Sequence, residues 1–370
     1  MTKILVPPTR PVLPNFDQYV DEIKSIWQTG AMTNNGPKLR TFKSKLQEYL
    51  NHPNLDLFVN GHSALEIALH SLKLDGEVIT SPFTFISTTN AIVRSGLTPV
   101  FCDVDNTYNI DPNKIEELIT EKTSAIVTPH IFGIPCDVKR IEEIAAKHNL
   151  KLIFDAAQAF GTKVDGRHVV LFGDITMVSF HAIKIFNSIE GGMLVYKAPS
   201  LQKTFELYRN FGVNYETSDV DLCGFNAKMN EFQAAMGLCN LPNFENEIAT
   251  RHKLALRYAE KLAPIAGVKI FDYKENVRYN HAYYPVLIDE AEFGLNRDTV
   301  WERLRDEGIM TRKLYDRLTC DTVAHAENGR RGDLSTARKL STMSLDLPMY
   351  GTLTFDDVDL IANSIAELKR

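Results

Sequence analysis

Cysteine is scarce and badly placed for pairing. The five present, Cys102, Cys136, Cys223, Cys239 and Cys320, are odd in number and none form a CxxC pair. That excludes a disulfide framework and a cysteine-paired metal site, and it fits a reducing, cytoplasmic setting. An excess of positive charge is also missing. With a net charge of −6 and no basic cluster, nothing points to nucleic acid, and Arg330-Arg331 reads as solvated surface. No apolar run is long enough to span a membrane. The opening "MTKILVPPTRPVLPNF" has one lysine and a short apolar run broken by prolines, so a signal peptide is not expected. Internal repeats and low-complexity segments are absent as well.

What is there is alternation. Residues 18–29 and 38–50 read as amphipathic helices around the turn-rich "TGAMTNNGP". From about 56 to 196, short apolar runs alternate with helical patterns. The strand candidates are Leu57–Val59, Glu77–Thr80, Thr98–Val104, Ser124–Thr128, Leu150–Phe154, Ile175–Ser179 and Met193–Tyr196, with helices at 62–73, 84–95, 112–120 and 138–148 between them. Near-continuous apolar strands separated by helices predict an α/β fold whose mainly parallel sheet is covered on both faces. Helices at 228–241 and 244–263 follow. After them the texture changes to that of a smaller α+β unit, ending in a helix at 355–369. The expected division is 1–245 and 246–370, and the chain is long enough for two domains.

In open α/β sheets, ligands bind beyond the carboxyl ends of the strands. The run at 150–154 leads straight into Asp155-Ala156-Ala157-Gln158, which would bury Asp155. A buried carboxylate needs a cation or several donors, so Asp155 is either a helix cap or a counter-charge for a protonated ring nitrogen. The run at 57–59 ends in "NGHSALEIAL", a glycine turn feeding a helix, which is a possible anion cradle or merely a capped helix. The run at 77–80 leads to Phe83 and Phe85, either core or a platform for a planar ring. Past 175–179 comes "SFHAIKIFNSIEGG" (179–192), with Lys184 just beyond a core strand. A desolvated lysine loses its charge readily and then serves as a nucleophile toward an aldehyde. An anion cradle, a stacking ring, a buried acid and a lysine at one sheet edge match the needs of pyridoxal 5′-phosphate (PLP). No GxGxxG follows an early strand, which argues against a nicotinamide oxidoreductase.

The chain resembles the DegT/DnrJ/EryC1/StrS sugar aminotransferases, PLP enzymes of the aspartate-aminotransferase fold (fold type I). The resemblance runs through "TNNGP" (33–37), "SALEIAL", "FTFISTTNAI", "DAAQAFG", "SFHAIKIFNSIEGG", "GFNAKMNEFQAAMGL" and the late "LPMY". It implies that Lys184 bonds covalently to the cofactor, Asp155 pairs with the pyridinium nitrogen and Gln158 sits against the phenolic oxygen. Phe85 would stack on the ring. Ser179 and the turn Gly61-His62-Ser63 would hold the phosphate, with Asn226 reaching the phosphate of the other subunit in a homodimer. The family usually has Thr or a small residue at the position of His62, so that contact would use the His62 backbone, its imidazole, or Ser63. His181 either faces the substrate as a catalytic group or is a hydrogen-bonded spacer.

The activity implied is transfer of an amino group from L-glutamate to a nucleotide-linked keto sugar. "SFHAxKxFNxxEGG", "TNNGP" and "NHAYYPVL" resemble members acting at carbon 4 of dTDP-4-keto-6-deoxy-D-glucose, whose products enter O-antigens and lipopolysaccharide. Other 3-keto or 4-keto nucleotide sugars are the alternative, and a non-catalytic PLP-binding regulatory relative is a further one. Arg209, Lys228, Arg312 and Tyr315 are candidates for gripping the pyrophosphate, or ordinary surface and packing residues.

Overall fold

The structure, a computed structural model, describes residues 4–369. Seven largely apolar runs of four to seven residues and one charged pair build an eight-stranded sheet in the order Leu55–Phe58, Gly192–Tyr196, Ile175–Ser179, Lys151–Asp155, Thr123–Pro129, Glu77–Thr80, Thr98–Phe101, Arg330–Arg331. From Ile175–Ser179 to the Arg330–Arg331 edge, every neighbouring pair is parallel. Gly192–Tyr196 runs against both of its neighbours.

Strand side chains alternate between faces, and here both faces are buried. Ile126, Leu152, Phe154 and Val178 pack into one core with Phe42 and Ile141 from the helices Pro37–Leu50 and Val138–Lys147. Val127, Ile153, Ile175 and Met177 point the other way, onto Leu65, Ala68 and Ile92 of the helices Gly61–Ser71 and Ile86–Arg94. The same alternation carries Asp155 and Ser179 to the Gly61–Ser71 side, at the carboxyl ends of their strands. Asp155 is the register partner of Met177. Burial of these aliphatic side chains, each worth roughly 1.5–3 kcal/mol, holds the frame on which the polar strand ends are mounted.

A second apolar core surrounds an antiparallel sheet of Val268–Ile270, Tyr284–Ile288 and Ser344–Leu347, closed by the helix Phe355–Leu368. The long helix Phe244–Leu262 joins the two. Phe244 and Ile248 belong to the first core, Leu254, Tyr258 and Leu262 to the second. Val6 is buried in the second core and bridges to Ile309.

Three local expectations differ from the structure. The helix expected at 112–120 is two 3-10 turns, Pro112–Lys114 and Glu116–Leu118. The segment has too few residues to propagate an α-helix between Pro112 and the turn that starts at Thr120. Arg330-Arg331 is not free surface. The pair forms the edge strand beside Thr98–Phe101, with Arg330 donating to Glu77 and to the Leu118 carbonyl. The helix expected from residue 228 starts at Glu231, because the Asn230 side chain accepts from Gln233 N–H and caps it there.

Candidate active site

A cavity of about 430 Å³ opens at the carboxyl ends of the parallel strands. Gly61, His62, Phe85, Asp155, Gln158, Ser179, His181 and Lys184 all line it. Ser63 and Asn226 do not.

Its floor is Asp155. Thr88 Oγ1 donates to Oδ2 at 2.8 Å, and Ala157 N–H donates to Oδ1 at 3.0 Å. Burial still raises the carboxyl above its ordinary range, against those two donors and the Lys184 charge. The acid is therefore short of positive charge, which is what a pyridinium nitrogen would bring. Asp155 is also bonded like a cap, but of a turn rather than of a helix, since no helix begins at Ala156.

One wall is the start of the helix Gly61–Ser71. Asn60 caps it, its Oδ1 accepting from Ser63 N–H at 2.8 Å. That spends the Ser63 amide and leaves the first helical N–H groups, at Gly61 and His62, for an anion. The cap uses only the Ser63 amide and leaves its hydroxyl as the group with which Ser63 would meet an anion. His62 does not offer a free imidazole. Its Nδ1 lies 2.8 Å from Ser87 Oγ and its Nε2 3.3 Å from Glu66.

The glycines have a shared reason. A Cβ on Gly61 would stand 3.0 Å from Ser179 Cβ and 3.1 Å from Met177 Sδ, and one on Gly192 only 2.3 Å from the Asn60 carbonyl oxygen. Both are needed for the helix start to lie directly against the strand ends. Ser179 is thereby placed beside the first turn, with its Oγ accepting from His181 N–H at 3.4 Å.

Phe83 and Phe85 separate cleanly. Phe83 is fully buried among Tyr108, Phe132 and Tyr315. Phe85 is 63% exposed and presents its ring at the cavity wall. Lys184 is half-buried there and makes no ion pair among the described residues.

Gln158 is tied at both ends. Its Nε2 donates to Tyr315 OH at 2.5 Å, and its Oε1 accepts from Phe132 N–H at 2.5 Å, leaving one amide hydrogen free. Tyr315 and Phe132 both have positive φ, 63° and 58°, a conformation in which backbone strain marks functional sites more often than other places. Burial holds the Tyr315 phenol well above its usual range. Arg312 grips Asp346 through Nε and Nη2 at 2.9 and 2.6 Å and lies over the Tyr283 ring.

Of the pyrophosphate candidates, Arg312 and Tyr315 line this cavity. Arg209 and Lys228 line another, of about 490 Å³, together with Asn34 and Asn35 of "TNNGP". Arg209 is bound to buried Asp56 at 3.1 Å, and Lys228 Nζ donates to Asn210 at 2.7 Å. Asn226 is exposed and bridges to Asn210. Sequence reasoning missed Asn60, Ser87, Thr88, Glu190 and Tyr283. Of these, Asn60 before the helix and Thr88 in "FTFISTTNAI" carried a readable signal.

A parallel-rich sheet whose strand ends present a buried acid, a half-buried lysine and a helix N-terminus defines a PLP-dependent transferase. The model of the DegT/DnrJ/EryC1/StrS aminotransferase family matches residues 16–366. The chain belongs to that family and is a PLP-dependent sugar aminotransferase. It is 38% identical over 362 residues to a dTDP-4-amino-4,6-dideoxy-D-glucose transaminase of Shigella dysenteriae, covering 98% of each chain. A protein of the same description from Escherichia coli is 36% identical over 356 residues, covering 94% of each. Among solved structures, DesI in the presence of its TDP-sugar product superposes with a TM-score of 0.93 at 32% identity, over 100% of this chain and 93% of that one.

Proposed function

We propose that this enzyme transfers the amino group of L-glutamate to carbon 4 of dTDP-4-keto-6-deoxy-D-glucose, giving dTDP-4-amino-4,6-dideoxy-D-glucose. The observation that carries the choice of sugar is the pair of near-full-length relatives with that product in their description. Among the described residues no helix is long and apolar enough to cross a membrane. A cytoplasmic homodimer feeding O-antigen or lipopolysaccharide synthesis is the setting in which we read it. We also read residues 1–245 as the large unit and 246–370 as the small one, with Arg330–Arg331 and Val6 each reaching across.

The residues present fit PLP group by group. The amides of Gly61 and His62 and the Ser179 hydroxyl suit its phosphate. The under-compensated Asp155 suits its ring nitrogen, the last Gln158 N–H its phenolic oxygen, and the open Phe85 ring its π-face. When bound, PLP supplies an electrophilic aldehyde and a ring that accepts the electrons of a carbanion. Lys184 Nζ, half-buried at the same wall, is the amine that would hold the aldehyde. Its free amine would serve as the general base toward the donor's α-carbon and as the acid that returns a proton to the sugar carbon. Asp155, held by Thr88 and Ala157, would favour a protonated ring nitrogen. Phe85 and the strand ends would limit how the ring and the reacting carbon can lie in the cavity.

The test is product analysis with L-glutamate and a panel of 3-keto and 4-keto nucleotide sugars. The expected outcome is amination of the dTDP-linked 4-keto-6-deoxyglucose at the highest kcat/KM. A higher kcat/KM on a 3-keto or GDP-linked sugar would replace that substrate, and no conversion of any would leave only a binding protein.

A further inference from the structure

Ile189 is a β-branched residue at φ 68°, a conformation such side chains rarely occupy. The strained turn is tied on both sides. Ile189 N–H donates to Asn187 Oδ1 at 3.3 Å, and Ser188 Oγ donates to the Glu190 carbonyl at 2.9 Å. The turn sends Glu190 back to the cavity wall, where its carboxylate stands 3.3 Å from His181 Nε2. The other ring nitrogen, Nδ1, lies 3.3 Å from Ile183 N–H. A backbone N–H can only donate, so Nδ1 accepts and carries no proton. The proton of the neutral ring is then on Nε2, donated to Glu190. Both nitrogens are spent inside one loop. The same loop carries Lys184, whose N–H donates to the His181 carbonyl at 2.9 Å.

We propose that His181 and Glu190 are positioning residues, a brace between the outgoing and returning arms of the loop that holds Lys184, and not an acid–base pair. This rests on the reading of Lys184 as the residue that bonds the cofactor. The pair is about half exposed, 43% and 47%, so its own attraction is small. Its effect is geometric, because a small misplacement of a reacting group can lower a rate up to about a hundredfold. The brace also explains why the loop tolerates strain at Ile189, since a relaxed turn would carry Glu190 elsewhere.

The experiment uses the apo protein labelled with 15N-histidine, at about pH 8.5, above the ordinary imidazole range. The His181 signals are assigned by their loss in His181→Gln. The expected result is a single tautomer protonated on Nε2 in the wild type and in both Glu190 variants, because the Ile183 N–H still holds Nδ1, with the Nε2 proton moved upfield and exchanging faster with water in Glu190→Ala only. In the holoenzyme, Glu190→Ala should lower kcat about tenfold with little change in the KM for glutamate, while Glu190→Gln, which still accepts from Nε2, keeps most of kcat. A wild-type ring protonated on Nδ1 would overturn the brace. So would a Glu190→Gln variant as slow as Glu190→Ala, since that would require the carboxylate's charge. The tautomer is read without cofactor, so it stands or falls separately from the role of Lys184.

Discussion

Asp155 is the residue on which the proposed chemistry turns, and its condition follows from its partners. Two donors and a nearby lysine do not offset its burial, so its carboxyl is raised. A cation at the cavity floor would reverse that. Thr88 is the more removable donor, being a side chain at 2.8 Å. Thr88→Val keeps the shape and takes away the hydroxyl. Its loss raises the Asp155 pKa further and weakens the counter-charge. The expected result is PLP affinity lowered about tenfold, equivalent to roughly 1.4 kcal/mol, measured by equilibrium dialysis, with a near-unchanged melting temperature. Unaltered PLP affinity would show that the hydroxyl does not matter to the acid. The sequence marked Asp155 through its apolar approach, but Thr88 lies 67 residues away and meets it only in three dimensions.

At the scale of elements, the deciding feature is how closely the Gly61–Ser71 helix start lies against the ends of Ile175–Ser179 and Gly192–Tyr196. The apolar runs and the glycine turn were legible, because period-2 burial and helix caps are local properties. The direction of each strand end followed from the same parity. What was not legible was which amide the cap consumes. Within the turn Gly61-His62-Ser63, Asn60 takes the Ser63 N–H and leaves the amides of Gly61 and His62. The Arg330–Arg331 edge strand was hidden for another reason: two charged residues carry no strand pattern, and their pairing is set by Thr98–Phe101 beside them. Gly192→Ala would place a methyl 2.3 Å from the Asn60 carbonyl oxygen. The expected outcome is destabilisation of roughly 2 kcal/mol or more in a denaturant titration. Gly61→Ala meets softer contacts at 3.0 and 3.1 Å, so it should raise the PLP dissociation constant several-fold while costing less stability. If Gly61→Ala retains PLP like the wild type, the first turn is not the anion cradle.

For the whole molecule, buried imidazoles set a pH limit, and burial lowers four of them, His130, His168, His281 and His325. Burial lowers His130 and His281 to about 3 and His168 to about 4. In the unfolded chain they titrate near about 6.5. Between those values the unfolded state binds more protons, so the stability they lend is full above about 6.5 and is lost as pH falls toward 4. Asp155 and Asp346, raised by burial, act in the opposite sense. The urea midpoint of the apo protein should therefore drop between pH 7 and 5, and a flat midpoint would contradict the neutral, buried state of these rings. The homodimer reading makes a different prediction. Asn226 is exposed and stands apart from the 430 Å³ cavity, so its use would be in a neighbouring subunit. Lys184→Ala and Asn226→Ala, each inactive or weak alone, should regain activity when unfolded together and refolded as hybrids, because one site of each hybrid is then intact. Absence of any gain would place Asn226 outside the site.

The central claim is that one lysine, lifted past a buried strand by the loop 179–192, is the residue that bonds the cofactor. The direct measurement is borohydride reduction of the holoenzyme followed by peptide mass spectrometry. The account predicts the phosphopyridoxyl mass on Lys184 alone, and none on a Lys184→Ala variant treated alike. The same mass on any other lysine, with Lys184 unmodified, would contradict it.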